Sequence, residues 1–171
     1  MVNKIFILGI LFLIFILSFQ INAQEEITDI SSEEFTYSGE GVEVIDGKIG
    51  CKTGIDNCKI EIISKIGGEK INLELNQYSK YDPISGKISV TESGGEFSLN
   101  GNDFKNIKSG EILLDQKTGK ITKADFYTNE NTGNYNLNGN EFKVPANSRF
   151  IYDPKKGYEL ADGTEITSLN S

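Results

Sequence analysis

Two nine-residue segments, 38 residues apart, are almost the same: residues 97–105 read FSLNGNDFK and residues 135–143 read YNLNGNEFK. Asn-Gly flanked by alternating apolar residues is the strongest short-range hairpin signal. Both central residues of a type I′ turn need positive φ, and Asn and Gly tolerate it. With Asn138 and Gly139 as the turn, Leu137 faces Asn140 and Tyr135 faces Phe142. With Asn100 and Gly101 as the turn, Phe97 faces Phe104. FTYSGEGV reads as a third, weaker copy, turning at Ser38 and Gly39 and setting Phe35 opposite Val42. An apolar pair across a turn contributes about 0.2–1 kcal/mol beyond an alanine pair.

A second motif interleaves with the first. YDPISGKI (81–88), LDQKTGKI (114–121) and YDPKKGYE (152–159) share one plan, and IDGKI (45–49) is a shortened form. In each, an Asp side chain can bond the backbone two residues on. Pro83 and Pro154 pre-set the first turn angle, and Gly86, Gly119 and Gly157 can take positive φ. The motif recurs at spacings of 36, 33 and 38 residues.

The intervening runs have period two and are rich in β-branched and aromatic residues: VEVI (42–45), KIEII (59–63), KINLEL (70–75), KISV (87–90) and NYNLN (134–138). Gly, Asn and Asp punctuate them, the mark of an all-β chain. The one helical hint is SSEEF, with Ser31 as cap and Glu34 closing the box. The chain is therefore expected to hold about four degenerate β-repeat units of 33–38 residues, stacked so that neighbours cover each other's apolar faces. Two geometries stay open: an antiparallel hairpin stack of open jelly-roll type, and a parallel β-solenoid. The segments RFIYDPKKGYELADGTEI and ILLDQKTGKITKADF resemble the repeat of the periplasmic lipopolysaccharide-transport proteins of the OstA-like class, over roughly residues 71–166. The resemblance implies an open, groove-bearing stack of short antiparallel strands.

The first residues carry one cation, Lys4, then an apolar run over residues 5–17, then polar residues ending in Ala23. That is the pattern of a secretory signal, and the run is short for a membrane span, which needs roughly 20 residues. The expected organisation is a signal over residues 1–23 and one all-β repeat domain over 24–171; an uncleaved signal would serve as an N-terminal membrane anchor. Removing 1–23 takes away Lys4 and no acid, so the net charge moves from −8 to about −9. An acidic chain with one Arg, Arg149, is a poor partner for nucleic acid. Cys51 and Cys58 in CKTGIDNC are expected to form a disulfide in an exported chain.

Several chemistries fail on inventory. There is no His, so Ser or Cys nucleophiles lack their usual base and zinc lacks ligands. Gly47-Lys48, Gly86-Lys87 and Gly119-Lys120 are each followed by Ile, which excludes a phosphate cradle. Carboxylates remain: Asp103 with Glu141, and Asp115 with Asp153, occupy equivalent motif positions, and two acids across a groove can hydrolyse glycosides. The recurrence of the same acid in each unit reads better as turn chemistry. Asn136, Asn138 and Asn140 alternate as calcium-binding oxygens sometimes do, and read first as strand and turn residues. Tyr78, Tyr81, Tyr127, Tyr152 and Tyr158 lie near turns, where partly exposed rings could stack on a sugar or a protein.

The resulting expectation is an exported, cell-surface or extracellular β-repeat protein, non-enzymatic and without a cofactor. It would act as a scaffold or adhesion module toward a protein or glycan of the cell envelope, and self-associate through its end strands. A carrier with a lipid or glycolipid groove between sheets is the first rival, needing an open apolar cavity lined by residues such as Leu73, Phe97 and Tyr135. A small carboxylate-dependent glycan enzyme is the second.

Overall fold

The computed structural model describes residues 25–28, 30, 32–67, 69–162, 166, 168 and 169. The expected export signal lies outside them. Among the described residues the chain forms strands and turns, with no helix. The strands are β1 (Glu25–Glu26), β2 (Phe35–Glu40), β3 (Val42–Ile45), β4 (Lys48–Cys51), β5 (Asn57–Ser64), β6 (Ile71–Asn76), β7 (Ser79–Asp82), β8 (Lys87–Val90), β9 (Gly95–Leu99), β10 (Asn102–Leu114), β11 (Ile121–Thr128), β12 (Gly133–Leu137), β13 (Asn140–Val144), β14 (Arg149–Asp153) and β15 (Gly157–Leu160).

The pairings among them are antiparallel. The long strand β10 organises the sheet. Its first half pairs with β9 and its second half with β8 on one side and β11 on the other. Between the halves the register slips twice, Asn106 takes a φ of 64° and Gly110 a φ of 149°. Bulges of this kind bend a strand and sharpen its twist. The large sheet therefore curls into two wings. The first runs β1-β2-β5-β6-β9-β10; the second runs β3-β4-β7-β8-β10-β11-β14-β15. The β12–β13 hairpin forms its own two-stranded sheet beside the first half of β10.

Period-two alternation fills the space between the wings. Cys58, Ile60 and Ile62 on β5, and Ile71, Leu73 and Leu75 on β6, are buried on alternate positions. The inner faces meet through rings: Tyr37 on Tyr81 at 6.4 Å, Phe126 on Tyr135 at 4.8 Å and Phe142 on Tyr158 at 4.2 Å between centroids. Full burial of one such side chain stabilises the fold by roughly 1.5–3 kcal/mol.

Both Asn-Gly sites are hairpin turns with the expected partners: Phe97 opposite Phe104, Tyr135 opposite Phe142 and Leu137 opposite Asn140. Positive φ falls on Asn100 and Gly101 (49° and 81°) and on Asn138 and Gly139 (55° and 94°). Asp46 and Gly47 close β3–β4 in the same way. The Asp-led turns also form. Asp82 Oδ1 accepts from the backbone N of Ile84 and Ser85, Asp115 Oδ1 from Lys117 and Thr118, and Asp153 Oδ1 from Lys155. The Asn-Gly hairpins lie at the first wing, β9–β10 and β12–β13, and the Asp-led hairpins β7–β8, β10–β11 and β14–β15 build the second.

The third Asn-Gly-like copy does not turn where expected. Ser38 and Gly39 lie inside β2, paired with Glu61 and Ile60; Phe35 faces Ser64 and Val42 faces Cys51. The chain bends instead at Gly41, φ 70°, where it passes from the first wing to the second. Gly39 lacks a side chain because Val42 fills the space a Cβ would need. Nor do residues 32–35 of SSEEF form a helix: the Ser32 hydroxyl accepts from the backbone N of Glu34 and Phe35 and leads directly into β2, and Ser31, the expected cap, lies outside the described residues. Cys51 and Cys58 are joined by a disulfide, Cα atoms 5.3 Å apart, tying the end of β4 to the start of β5 and so one wing to the other. At the far end, Ile166 N bonds Tyr158 O on β15 and Leu169 N bonds Glu141 O on β13.

Candidate functional site

The alternation that fills the core sends the other half of each first-wing strand outward. β6 presents Glu74, β9 presents Glu96 and Ser98, and β10 presents Asp103 and Lys105; the pairings Glu74 with Ser98 and Ser98 with Asp103 set them in one row. A hollow of about 190 Å³ runs along this row. A second, of about 470 Å³, adjoins it at Asp103 and continues across Asn134 and Asn136 of β12 to Glu141 of β13. The two hollows meet at Asp103, one on the outer face of the first wing and one reaching over the β12–β13 hairpin, and their polar side chains are interspersed with the edges of Phe97, Tyr135 and Phe142 and the exposed Leu169. Lys105 Nζ lies 3.0 Å from Asp103 Oδ2, and Asn136 Oδ1 accepts from Gly139 N at 2.8 Å.

Asp103 and Glu141, singled out as equivalent acids, thus line the same hollow. Asp115 and Asp153 do not come together; each is held in its own turn. The three alternating Asn side chains go to three separate partners. Asn136 holds Gly139 N, Asn138 holds the backbone of Ile121, and Asn140 Nδ2 reaches Tyr158 Oη at 3.3 Å. They do not converge on one point. Among the described residues no three His, Cys, Asp or Glu side chains gather at metal-binding distance.

The tyrosines divide. Tyr127 is exposed and lies under the Arg149 guanidinium, 5.5 Å from its carbon to the ring centre. Tyr152 and Tyr158 are half-buried and stack at 4.7 Å, and Tyr78 is half-buried. Tyr81, expected near the surface, is in the core. It pairs with Ile49 and Ile88, whose side chains also face inward. Its hydroxyl is buried without a hydrogen-bond partner among the described residues. Burial pushes its pKa well above the ordinary phenol value, with lesser contributions from Tyr37 and Asp82. Tyr37, whose hydroxyl lies 3.2 Å from Pro83 O and 3.1 Å from Gln116 Oε1, is pushed up by burial to about 12.

Two carboxylates are displaced, both downward. Arg149 Nε and Nη2 each donate to Asp125 at 2.7 Å, and these hydrogen bonds hold its pKa below the carboxylate range against the opposing effect of burial. Burial raises Asp82, but its hydrogen bonds with Ser85 and Ile84 outweigh that and leave it lowered. Both are in structural use, in an ion pair and a turn.

The sequence pointed to Asp103, Glu141 and Asn136 but not to Glu74, Glu96 or Ser98 as their neighbours. Their outward facing is legible in the alternation; the register that aligns them is a long-range pairing of β6 with β9. Compared with family models, characterised proteins and solved structures, the chain matches none of them.

Proposed function

We propose that this is an exported, non-enzymatic β protein of the cell surface or extracellular space, and that the groove on its first wing engages a protein or glycan of the cell envelope. One observation carries this reading. Leu73, Phe97 and Tyr135, which would line an open apolar cavity in a carrier, are 0%, 4% and 2% exposed. The apolar side of the sheet is consumed by packing between the wings, and the outward hollows are lined by Glu74, Ser98, Asp103, Asn134 and Glu141 together with the exposed Leu169. The disulfide supports an oxidising compartment, as does the leader pattern of residues 1–23, whose removal yields a mature chain of residues 24–171. The recurrence of Asn-Gly and Asp-led hairpins supports the proposed plan of stacked units of 33–38 residues, and the likeness to OstA-like transport proteins suggests an open, groove-bearing stack of short antiparallel strands.

One observation favours a second reading: Asp103 and Glu141 share a hollow, as the acids of a glycan-cleaving enzyme must. The same experiment addresses both. Oxidised protein of residues 24–171 is tested for binding to immobilised envelope polysaccharides, for release of soluble sugar, and for uptake of a fluorescent fatty acid. Binding that Asn134→Ala with Asn136→Ala weakens, without sugar release, is the expected result. Sugar release abolished by Asp103→Asn would replace the proposal with the enzyme reading, and saturable fatty-acid binding would replace it with the carrier.

A further inference from the structure

The two Asn-Gly turns are twins in sequence and in backbone, yet the structure holds them differently. At the second, both amide atoms of Asn138 are occupied. Oδ1 accepts from Ile121 N at 2.8 Å, and Nδ2 donates to Ile121 O at 2.7 Å. The neighbouring backbone nitrogen is occupied as well, since Gly139 N donates to Asn136 Oδ1 at 2.8 Å. At the first turn, Asn100 Oδ1 accepts from Asn72 N at 2.9 Å. The residue two before the turn is Ser98 rather than Asn, and Gly101 N makes no hydrogen bond among the described residues. Both Asn100 and Gly101 are exposed.

Those are the atoms that matter for loss of the side-chain amide. The Gly nitrogen, giving its proton to hydroxide, attacks the Asn Cγ. A C–N bond forms, the Cγ–Nδ2 bond breaks and ammonia leaves. The resulting five-membered imide takes up water at either carbonyl, giving Asp or its β-linked isomer. The reaction needs a free Gly N–H and an Asn side chain that can rotate toward it, and Gly supplies the least steric hindrance.

We infer that Asn100 is a site of spontaneous deamidation in the folded protein and that Asn138 is protected. Modification at Asn100 adds a carboxylate at the lip of the first-wing groove, next to Gly101, Asn102 and Asp103, which line its larger hollow. The β-linked product also lengthens the backbone by one carbon within a two-residue turn. That misaligns the Asn100 bonds to Asn72, which include Asn100 N donating to Asn72 O at 2.8 Å. The groove would thus grow more acidic with age, and its edge looser. This inference does not depend on what the groove binds.

The test is peptide mapping by mass spectrometry of the folded, oxidised protein held at 37 °C and mildly alkaline pH, with a urea-unfolded sample beside it. In the unfolded chain the two sites should gain the one-dalton mass increase at similar rates. In the folded protein Asn100 should gain it about tenfold faster than Asn138, the factor given by about 1.4 kcal/mol of added barrier. Asn136→Ala, which takes the Asn136 acceptor away from Gly139 N, should raise the rate at Asn138 toward that at Asn100. Equal rates in the folded wild type, a faster rate at Asn138, or no change at Asn100 over the time in which the unfolded sample reacts would each overturn the inference.

Discussion

The hydroxyl of Tyr135 donates to the carbonyl of Lys105 at 2.9 Å. Tyr135 belongs to β12 and Lys105 to β10, two strands that lie side by side with no ladder between them. The ring does the joining: it stacks on Phe104 at 5.8 Å and meets Phe126 edge-on at 4.8 Å. It also runs back over Gly133, whose missing side chain leaves the room. This side chain thus ties the β12–β13 hairpin to the first wing and to β11 of the second, beside the bonds that Asn138 and Asn140 make to Ile121 and Tyr158.

Three buried tyrosines should therefore respond differently to loss of the hydroxyl. Tyr135→Phe removes the donor from Lys105 O, and Tyr37→Phe removes the one hydroxyl proton that lies between Gln116 Oε1 and Pro83 O; each should cost about 1–2 kcal/mol. Tyr81→Phe removes a hydroxyl that is buried and unpaired, so it should be neutral or stabilising. Urea midpoints of the three variants check this; a loss at Tyr81 as large as at Tyr135 would contradict it.

Reducing the disulfide should cost about 2–3 kcal/mol by the chain-entropy model for so short a loop. The bond links β4 to β5, so its loss should loosen the crossing between the wings more than the distant β14–β15 hairpin. Hydrogen exchange of Cys51→Ser with Cys58→Ser, read strand by strand, tests the placement, and urea melts with and without dithiothreitol test the magnitude.

The acid side of the stability curve follows from Asp125 and Asp82. Both have folded-state pKa values below their unfolded ones. Their contribution is present above the unfolded value and is lost as pH falls through the folded one. Stability should drop on acidification below about pH 4, where carboxylates ordinarily titrate. Solvent screening keeps the contribution of the Asp125–Arg149 pair small, since both side chains are roughly a third exposed. Asp125→Asn should flatten that limb, and added salt should flatten it in the wild type.

The alkaline side has the opposite sign. Tyr37, Tyr81 and Tyr135 have raised pKa values, chiefly through burial. Their contribution is present below the unfolded phenol value near 10 and is lost as pH rises through the folded values. Absorbance titration should show Tyr37, Tyr81 and Tyr135 ionising only together with unfolding.

Gly110→Ala should be among the most damaging single-methyl changes. Its φ of 149° lies outside the range side chains favour, and a Cβ there would meet the backbone and Cβ of Phe126 and the carbonyl of Asp125. A loss above about 2 kcal/mol is expected. Gly139→Ala meets no atom within 4 Å and should pay only for its positive φ, about 1 kcal/mol. Comparison of the two midpoints separates packing from backbone strain.

Much of this protein was already settled by local chemistry. Alternation at 59–63 and 70–75 fixed strand and inward face, Asn-Gly and Asp-led turns fixed hairpin partners such as Phe97 with Phe104, and two cysteines seven residues apart fixed their own pairing. These follow from interactions within a few residues, which a linear reading can see. Tertiary contacts decided the rest. Ser38 and Gly39 look like a turn but run straight, because β5 lies alongside them and Gly41 takes the bend. Tyr81 looks like a surface ring but is buried, because the wings fold together over it. The row of Glu74, Ser98 and Asp103 exists only through the pairing of β6 with β9 and of β9 with β10. A two-residue period specifies which way a side chain points from its strand, but not which strand comes to lie beside it or whether another sheet closes over it.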